Sequence, residues 1–168
     1  GGLQIGTEMA EICLAGAGQV VIDGGEATIW PGPWVSVRTD QPVAACMASQ
    51  YAGWPVSSDP ESDEKYFAMA SGPMRSVRGR EPLFEEIGCR EQAQHVVGVL
   101  ESGQLPPSAI CQTIAEQCQV PPNRLTLLVA PTASLAGTVQ VVARSVETAL
   151  HKMLELGFDH RTMVAGFG

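Results

Sequence analysis

Apolar positions change their spacing several times along this chain, and each change marks a predicted element. Leu3, Ile5, Met9, Ile12 and Cys13 recur at near-helical spacing and then meet Gly16 and Gly18, which suit a helix stop. From Gln19 to Arg38 the pattern shifts to short β-type runs, Val20-Val21-Ile22, Thr28-Ile29-Trp30 and Val35-Ser36-Val37-Arg38. Asp23-Gly24-Gly25 and Pro31-Gly32-Pro33 separate them as turns, so the stretch reads as an antiparallel meander. Residues 42–49 are apolar and small and suit a helix opened by Pro42; a strand-like stretch follows Trp54.

Residues 57–64 form a polar loop, Tyr66 to Met69 runs toward a Gly72-Pro73 corner, and a second polar stretch, 75–90, divides this half from the rest. Beyond it the order becomes regular: strand 95–100, helix 107–117, strand 125–129, one long helix over 135–156, strand 161–165. The fold class is therefore mixed, α+β or α/β, with helices packed on sheet. A strand-rich lobe with an N-terminal helix spans 1–80, and a β-α-β-α-β lobe spans 90–168.

On a helical wheel of about 100° per residue, the long helix gathers Leu135, Val139, Val142, Val146, Ala149, Leu150 and Met153 on a core face. Ser145, Thr148, Lys152 and Glu155 fall on a solvated face. Along the border runs a polar stripe of Gln140, Arg144, Glu147 and His151, with Glu147 nearest the apolar edge. Such a border can line a ligand pocket, because an apolar wall lowers the local dielectric around the polar groups. It can equally be an ordinary amphipathic edge with an exposed Arg144–Glu147 pair stabilising by about 0.2–0.5 kcal/mol. Pattern alone favours the second reading.

Composition narrows the chemistry. Eighteen acidic residues against ten Lys and Arg leave a net charge of -8, which argues against a phosphate-tracking nucleic-acid binder. The five cysteines contain no C-x-x-C and the three histidines share no ligand spacing, so reduced thiols and no metal are expected. No apolar run reaches about 20 residues and no signal peptide is visible, so no membrane partner and a cytoplasmic location are expected. The chain opens on Gly1-Gly2 and closes on an apolar run, which reads as an internal portion of something longer.

Further candidates lie outside the helix. Ala130-Pro131-Thr132-Ala133-Ser134 joins a buried-type strand to the helix, and Thr132 or Ser134 there is either a ligand-holding hydroxyl or a plain N-cap. Arg75 ends a tight Ser71-Gly72-Pro73-Met74-Arg75 turn and can meet an anionic or carbonyl group, although pattern alone favours a plain surface turn; Tyr51 and Trp54 sit among small residues and can stack a flat heterocycle or pack a core.

Three segments in this order resemble the methenyltetrahydromethanopterin cyclohydrolase family: Ser49-Gln-Tyr-Ala-Gly-Trp54, Lys65-Tyr-Phe-Ala-Met-Ala-Ser-Gly-Pro-Met-Arg75, and the run from Val129 through Ala-Pro-Thr-Ala-Ser to Glu147. The resemblance covers most of the chain. It implies hydrolysis of the methenyl bridge of 5,10-methenyltetrahydromethanopterin to the 5-formyl compound, without metal or organic cofactor, the pterin being a substrate. It also implies a two-lobed α/β fold, a homotrimer, and a catalytic arginine and glutamate at Arg144 and Glu147. Gln140, Thr132, Ser134, Arg75, Tyr51 and Trp54 are then candidate substrate contacts. The chain departs from the pattern at Met74, where a smaller residue is usual, and near Tyr51, where some members place a lysine. The alternative is a non-catalytic pterin-binding or structural α/β module.

Overall fold

The computed structural model describes residues 1–25 and 28–168. Helix α1 (Leu3–Cys13) buries Gly6, Met9, Ala10 and Cys13 along one stripe. Strands β1 (Gln19–Asp23) and β2 (Trp34–Thr39) then pair antiparallel, Gln19 opposite Arg38 and Asp23 opposite Trp34. The meander's expected middle strand does not form: Thr28 and Ile29 lie in a turn and Trp30 makes only an isolated bridge. Pro31 and Pro33 follow Trp30 too closely for a ladder, since proline donates no backbone hydrogen bond. The third strand of this sheet comes instead from the far end of the chain, where β7 (Gly166–Phe167) pairs with β2 through Arg38–Phe167 and Thr39–Gly166.

Residues Val43–Gln50 wind as a π-helix, closed by Tyr51 N–H donating to the Cys46 carbonyl at 3.0 Å. After it come β3 (Trp54–Ser57) and β4 (Phe67–Ser71), an antiparallel pair across the polar loop. The stretch 75–90, expected as a polar divider, is ordered and partly buried: it supplies α2 (Pro73–Arg78) and α3 (Leu83–Ile87). Strand β5 (Val96–Glu101), helix α4 (Ser108–Gln117) and strand β6 (Leu125–Ala130) form a parallel crossover unit. The second sheet runs β3-β4-β5-β6, so each sheet draws strands from both halves of the chain.

The single long helix is two helices, α5 (Leu135–Val142) and α6 (Ser145–Glu155), parted at Ala143–Arg144. In a continuous helix the Ala143 carbonyl would accept from the Glu147 N–H. Here Gln50 takes that carbonyl, donating from Nε2 at 2.9 Å. A side chain inserted into the i→i−4 ladder is a recognised cause of a kink. The break resets the wheel: Val139, Val146 and Leu150 are buried as expected, whereas Leu135, Val142 and Ala149 are exposed. The final strand also moves, with a 3-10 turn at His160–Thr162 where the strand over 161–165 was expected.

Three cores result. Val37, the π-helix, Phe84 and α6 form one; Trp54, Ala68, Val96, Leu100 and α4 residues Ile110 and Ile114 form the second. Met9, Cys13, Val99, Ala130 and Ala136 form a third, between α1, α5 and the other face of the second sheet. Arg144 lies where the first and third cores meet, beside Ala143 of the one and reaching to the strand that carries Val99 of the other.

Candidate active site

The break between α5 and α6 positions the candidate pair. Arg144 is the N-cap of α6, with φ -91° and ψ 11°, and Glu147 falls in the first helical turn. A carboxylate there faces the positive end of the helix dipole and the free N–H groups of the first turn. Arg144 and Glu147 are close enough for the guanidinium charge to act on the carboxyl, yet no ion pair joins them. Arg144 pairs through Nη2 with the Glu101 carboxylate at the end of β5, and the same nitrogen lies 3.5 Å from Ser71 Oγ. Its Nε–H is buried without a partner.

Glu147 is only 4% exposed. Burial pushes its carboxyl up to about 7, against the opposing pull of the Arg144 and Arg75 charges and a hydrogen bond with Thr148. Burial, helped by the Glu147 charge, pushes the Cys46 thiol on the π-helix up to about 12, so that sulfur is not a nucleophile at neutral pH. The exposed surface pair that pattern alone favours is absent: the stripe Gln140, Arg144, Glu147 points inward.

Gln140, 1% exposed, donates to Cys13 Sγ at 3.7 Å, and Cys13 Sγ lies 3.6 Å from Ser71 Oγ. A buried polar run thus links α1, β4, β5 and α5 to Arg144. His151 stacks on Tyr51 with ring centres 4.1 Å apart and planes tilted by 33°. Burial and the nearby Arg75 charge draw the His151 imidazole below its usual range, so the ring is neutral at pH 7. Its Nε2 is buried without a partner.

Arg75 is fully buried, and each of its three guanidinium nitrogens has a hydrogen-bond partner. It donates to the Met47 and Ala48 carbonyls, the latter at 2.9 Å, and pairs with Glu81. Its guanidinium lies between two rings, 4.7 Å from the centre of Tyr51 and 4.9 Å from that of Phe84. Arg75 caps carbonyls that the π-helix leaves open and places a second fixed cation near Glu147. Met74 beside it fills the space over Gly98, where a Cβ would come within 1.9 Å of the Met74 sulfur. The bulk added to that turn is thus accommodated by a glycine on β5.

The remaining candidates lie elsewhere. Trp54 is buried in the second core, its outer ring face under the Arg78 guanidinium at 4.5 Å. Ser134 caps α5: its Oγ accepts from the Gly137 N–H at 3.1 Å and donates to the Pro131 carbonyl at 2.7 Å. Thr132 is exposed on the same loop, and its carbonyl accepts from the Thr138 hydroxyl. A surface hollow of about 890 Å³ lies between residues 16–19, 38–41 and 165–167 and is not lined by Arg144 or Glu147.

Sequence reasoning misses Glu101, Ser71 and Gln50. Glu101 had a signal: a lone carboxylate directly after the apolar run Val96-Val97-Gly98-Val99-Leu100, at the carboxyl end of a parallel strand, where α/β sheets hold their ligands. Gln50 had none, because its partner carbonyl lies 93 residues away.

Comparison with known proteins agrees with the resemblance. The family model described as Cyclohydrolase (MCH) matches residues 1–168. The methenyltetrahydromethanopterin cyclohydrolase of Rhodopirellula baltica is 45% identical over 171 residues, covering 100% of this chain and 50% of that protein. That of Methylobacillus flagellatus is 44% identical over 167 residues, covering 99% and 49%, and that of Methanosarcina mazei is 42% identical over 170 residues, covering 100% and 51%. The chain spans about half the length of the curated relatives it matches.

Proposed function

This chain belongs to the cyclohydrolase (MCH) family, and on that premise we propose that it forms part of an enzyme that hydrolyses 5,10-methenyltetrahydromethanopterin to the 5-formyl compound. The observation that supports this reading is Glu147: a buried carboxyl at a helix N-terminus, near two guanidinium groups, unpaired with either, and tuned close to neutral. A general base works best when its pKa lies near the operating pH.

In the proposed reaction water adds to the methenyl carbon that bridges N5 and N10 of a cationic ring. Glu147 takes one proton from the attacking water as the C–O bond forms. The resulting tetrahedral carbon then collapses to the N5-formyl group as its bond to N10 breaks, the hydroxyl proton leaves the new carbonyl, and Glu147 hands a proton to N10. One proton is released overall, as loss of the substrate's positive charge requires. The free Nε–H of Arg144 is the donor available to the oxygen that becomes the formyl carbonyl. Arg75 touches nothing that reacts; it fixes the π-helix and the field around Glu147. The pterin is substrate and the chemistry needs no cofactor.

We place the facing wall of the pocket in the part of the relatives' length that this chain does not span, and we read the whole protein as a cytoplasmic homotrimer, as the resemblance implies. No helix among the described residues is long and apolar enough to cross a membrane. The test is conversion of methenyl-tetrahydromethanopterin by the full-length protein, followed as loss of the methenyl chromophore. Binding of the pterin with no chromophore loss would instead establish a non-catalytic pterin-binding module.

A further inference from the structure

Glu101 stands at the carboxyl end of β5, across the strand pair from Met69 of β4 and Ala130 of β6. Its carboxylate and the Arg144 side chain are each 13% exposed, so this ion pair is largely withdrawn from water. Ser71, two residues beyond Met69 on the same face of the sheet, gives the same Arg144 nitrogen a second contact. With Nη2 held from the sheet, the unpartnered Nε–H is fixed in place instead of being free to rotate with a long side chain.

We propose that Glu101 is a positioning residue for the cyclohydrolase reaction: it holds Arg144 by Nη2 and balances its charge, so that the cation orients the reacting oxygen without over-stabilising the Glu147 carboxylate. This rests on the function proposed above. Two features favour balance over a merely structural pair. The groups facing Glu147 from each neighbouring element are Arg144 at the head of its own helix, Arg75 on α2 and the neutral Cys46 thiol on the π-helix, so cations dominate its field. Arg75 is already neutralised by Glu81 in direct contact. Arg144 would be the one uncompensated charge beside Glu147 were Glu101 absent, and an uncompensated cation draws a neighbouring carboxyl downward. Each of the two cations thus carries its own glutamate, Glu101 from the sheet for Arg144 and Glu81 from the loop after α2 for Arg75.

The test compares the full-length protein with Glu101→Gln and Glu101→Asp. It reads the titration of the Glu147 side-chain carbon by NMR, and the pH profile of kcat and KM for methenyl-tetrahydromethanopterin. In Glu101→Gln the Glu147 titration moves down by about half a unit or more, kcat falls at least about tenfold, and KM changes less than about threefold. Glu101→Asp, which keeps the charge, retains the wild-type titration and recovers part of kcat. An unshifted Glu147 titration in Glu101→Gln overturns the proposal, as does loss of the fold in both variants, which would reduce the pair to a tie between sheet and helix. Absence of any turnover in the wild-type protein would remove the proposed function, while the NMR titration still decides whether Glu101 sets the charge state of Glu147.

Discussion

Arg144 reaches back to Glu101 on the sheet, not forward to Glu147 three residues on. The two opposite charges that look like a helix-surface pair in the sequence are thereby separated into an anchored cation and a free, buried acid. Removing the cation leaves Glu101 buried and unbalanced. Arg144→Met is therefore expected to lower stability by about 3 kcal/mol, read from urea unfolding at pH 7. Replacing both partners, Arg144→Met with Glu101→Leu, is expected to recover most of that loss, because an apolar pair leaves no unpaired charge.

Glu147 couples stability to pH in a direction unusual for a carboxylate. Its folded value of about 7 lies above its ordinary value of 4.5, so the folded state holds the proton more tightly than the unfolded chain. The contribution is fully present below pH 4.5 and is lost as pH rises through 7. It amounts to about 3 kcal/mol between those limits. Glu147→Gln, which cannot ionise, is expected to be more stable than the wild type at pH 8 and nearly equal to it at pH 4.5, measured by chemical denaturation at both.

Arg75 is a structural cation. Arg75→Ala removes the cap on the Met47 and Ala48 carbonyls and strands Glu81. A loss of about 3–5 kcal/mol is expected, large enough to show as a lowered unfolding midpoint or as insoluble protein. Arg75→Lys, which keeps the charge but not the fork, is expected to recover less than half.

Gly137 fixes the loop before α5. A Cβ there would come within 2.0 Å of the Pro131 carbonyl oxygen, a backbone atom that cannot step aside. Gly137→Ala is expected to cost about 1–3 kcal/mol despite alanine's better helix propensity, with a matching fall in the thermal midpoint.

The sequence revealed elements better than it revealed their joints. The period of Leu3 to Cys13 and the apolar runs of β5 and β6 are local signals, and the structure keeps them as a helix and two parallel strands. The α5–α6 break was invisible because Val141, Val142 and Ala143 carry no helix-breaking residue; the cause is Gln50, distant in sequence. The same blindness hid the burial of Gln140 and Glu147, since a wheel drawn through the break turns the polar stripe outward. Arg75 illustrates the opposite error. A charged residue in a turn reads as surface, but here the carbonyls of a π-helix and the carboxylate of Glu81 provide enough partners to bury it completely. The pairing of β7 with β2 joins Arg38 to Phe167 and Thr39 to Gly166, residues far apart in sequence, which no local pattern encodes.

The proposed role of Glu147 as the base that activates water is tested by single-turnover decay of the methenyl chromophore in full-length wild type and Glu147→Gln, with substrate affinity measured alongside. A fall in rate of about 10²-fold or more with affinity little changed is expected, and, in the wild type, a rate that rises with pH through about 7. A Glu147→Gln protein that turns over at the wild-type rate would contradict it.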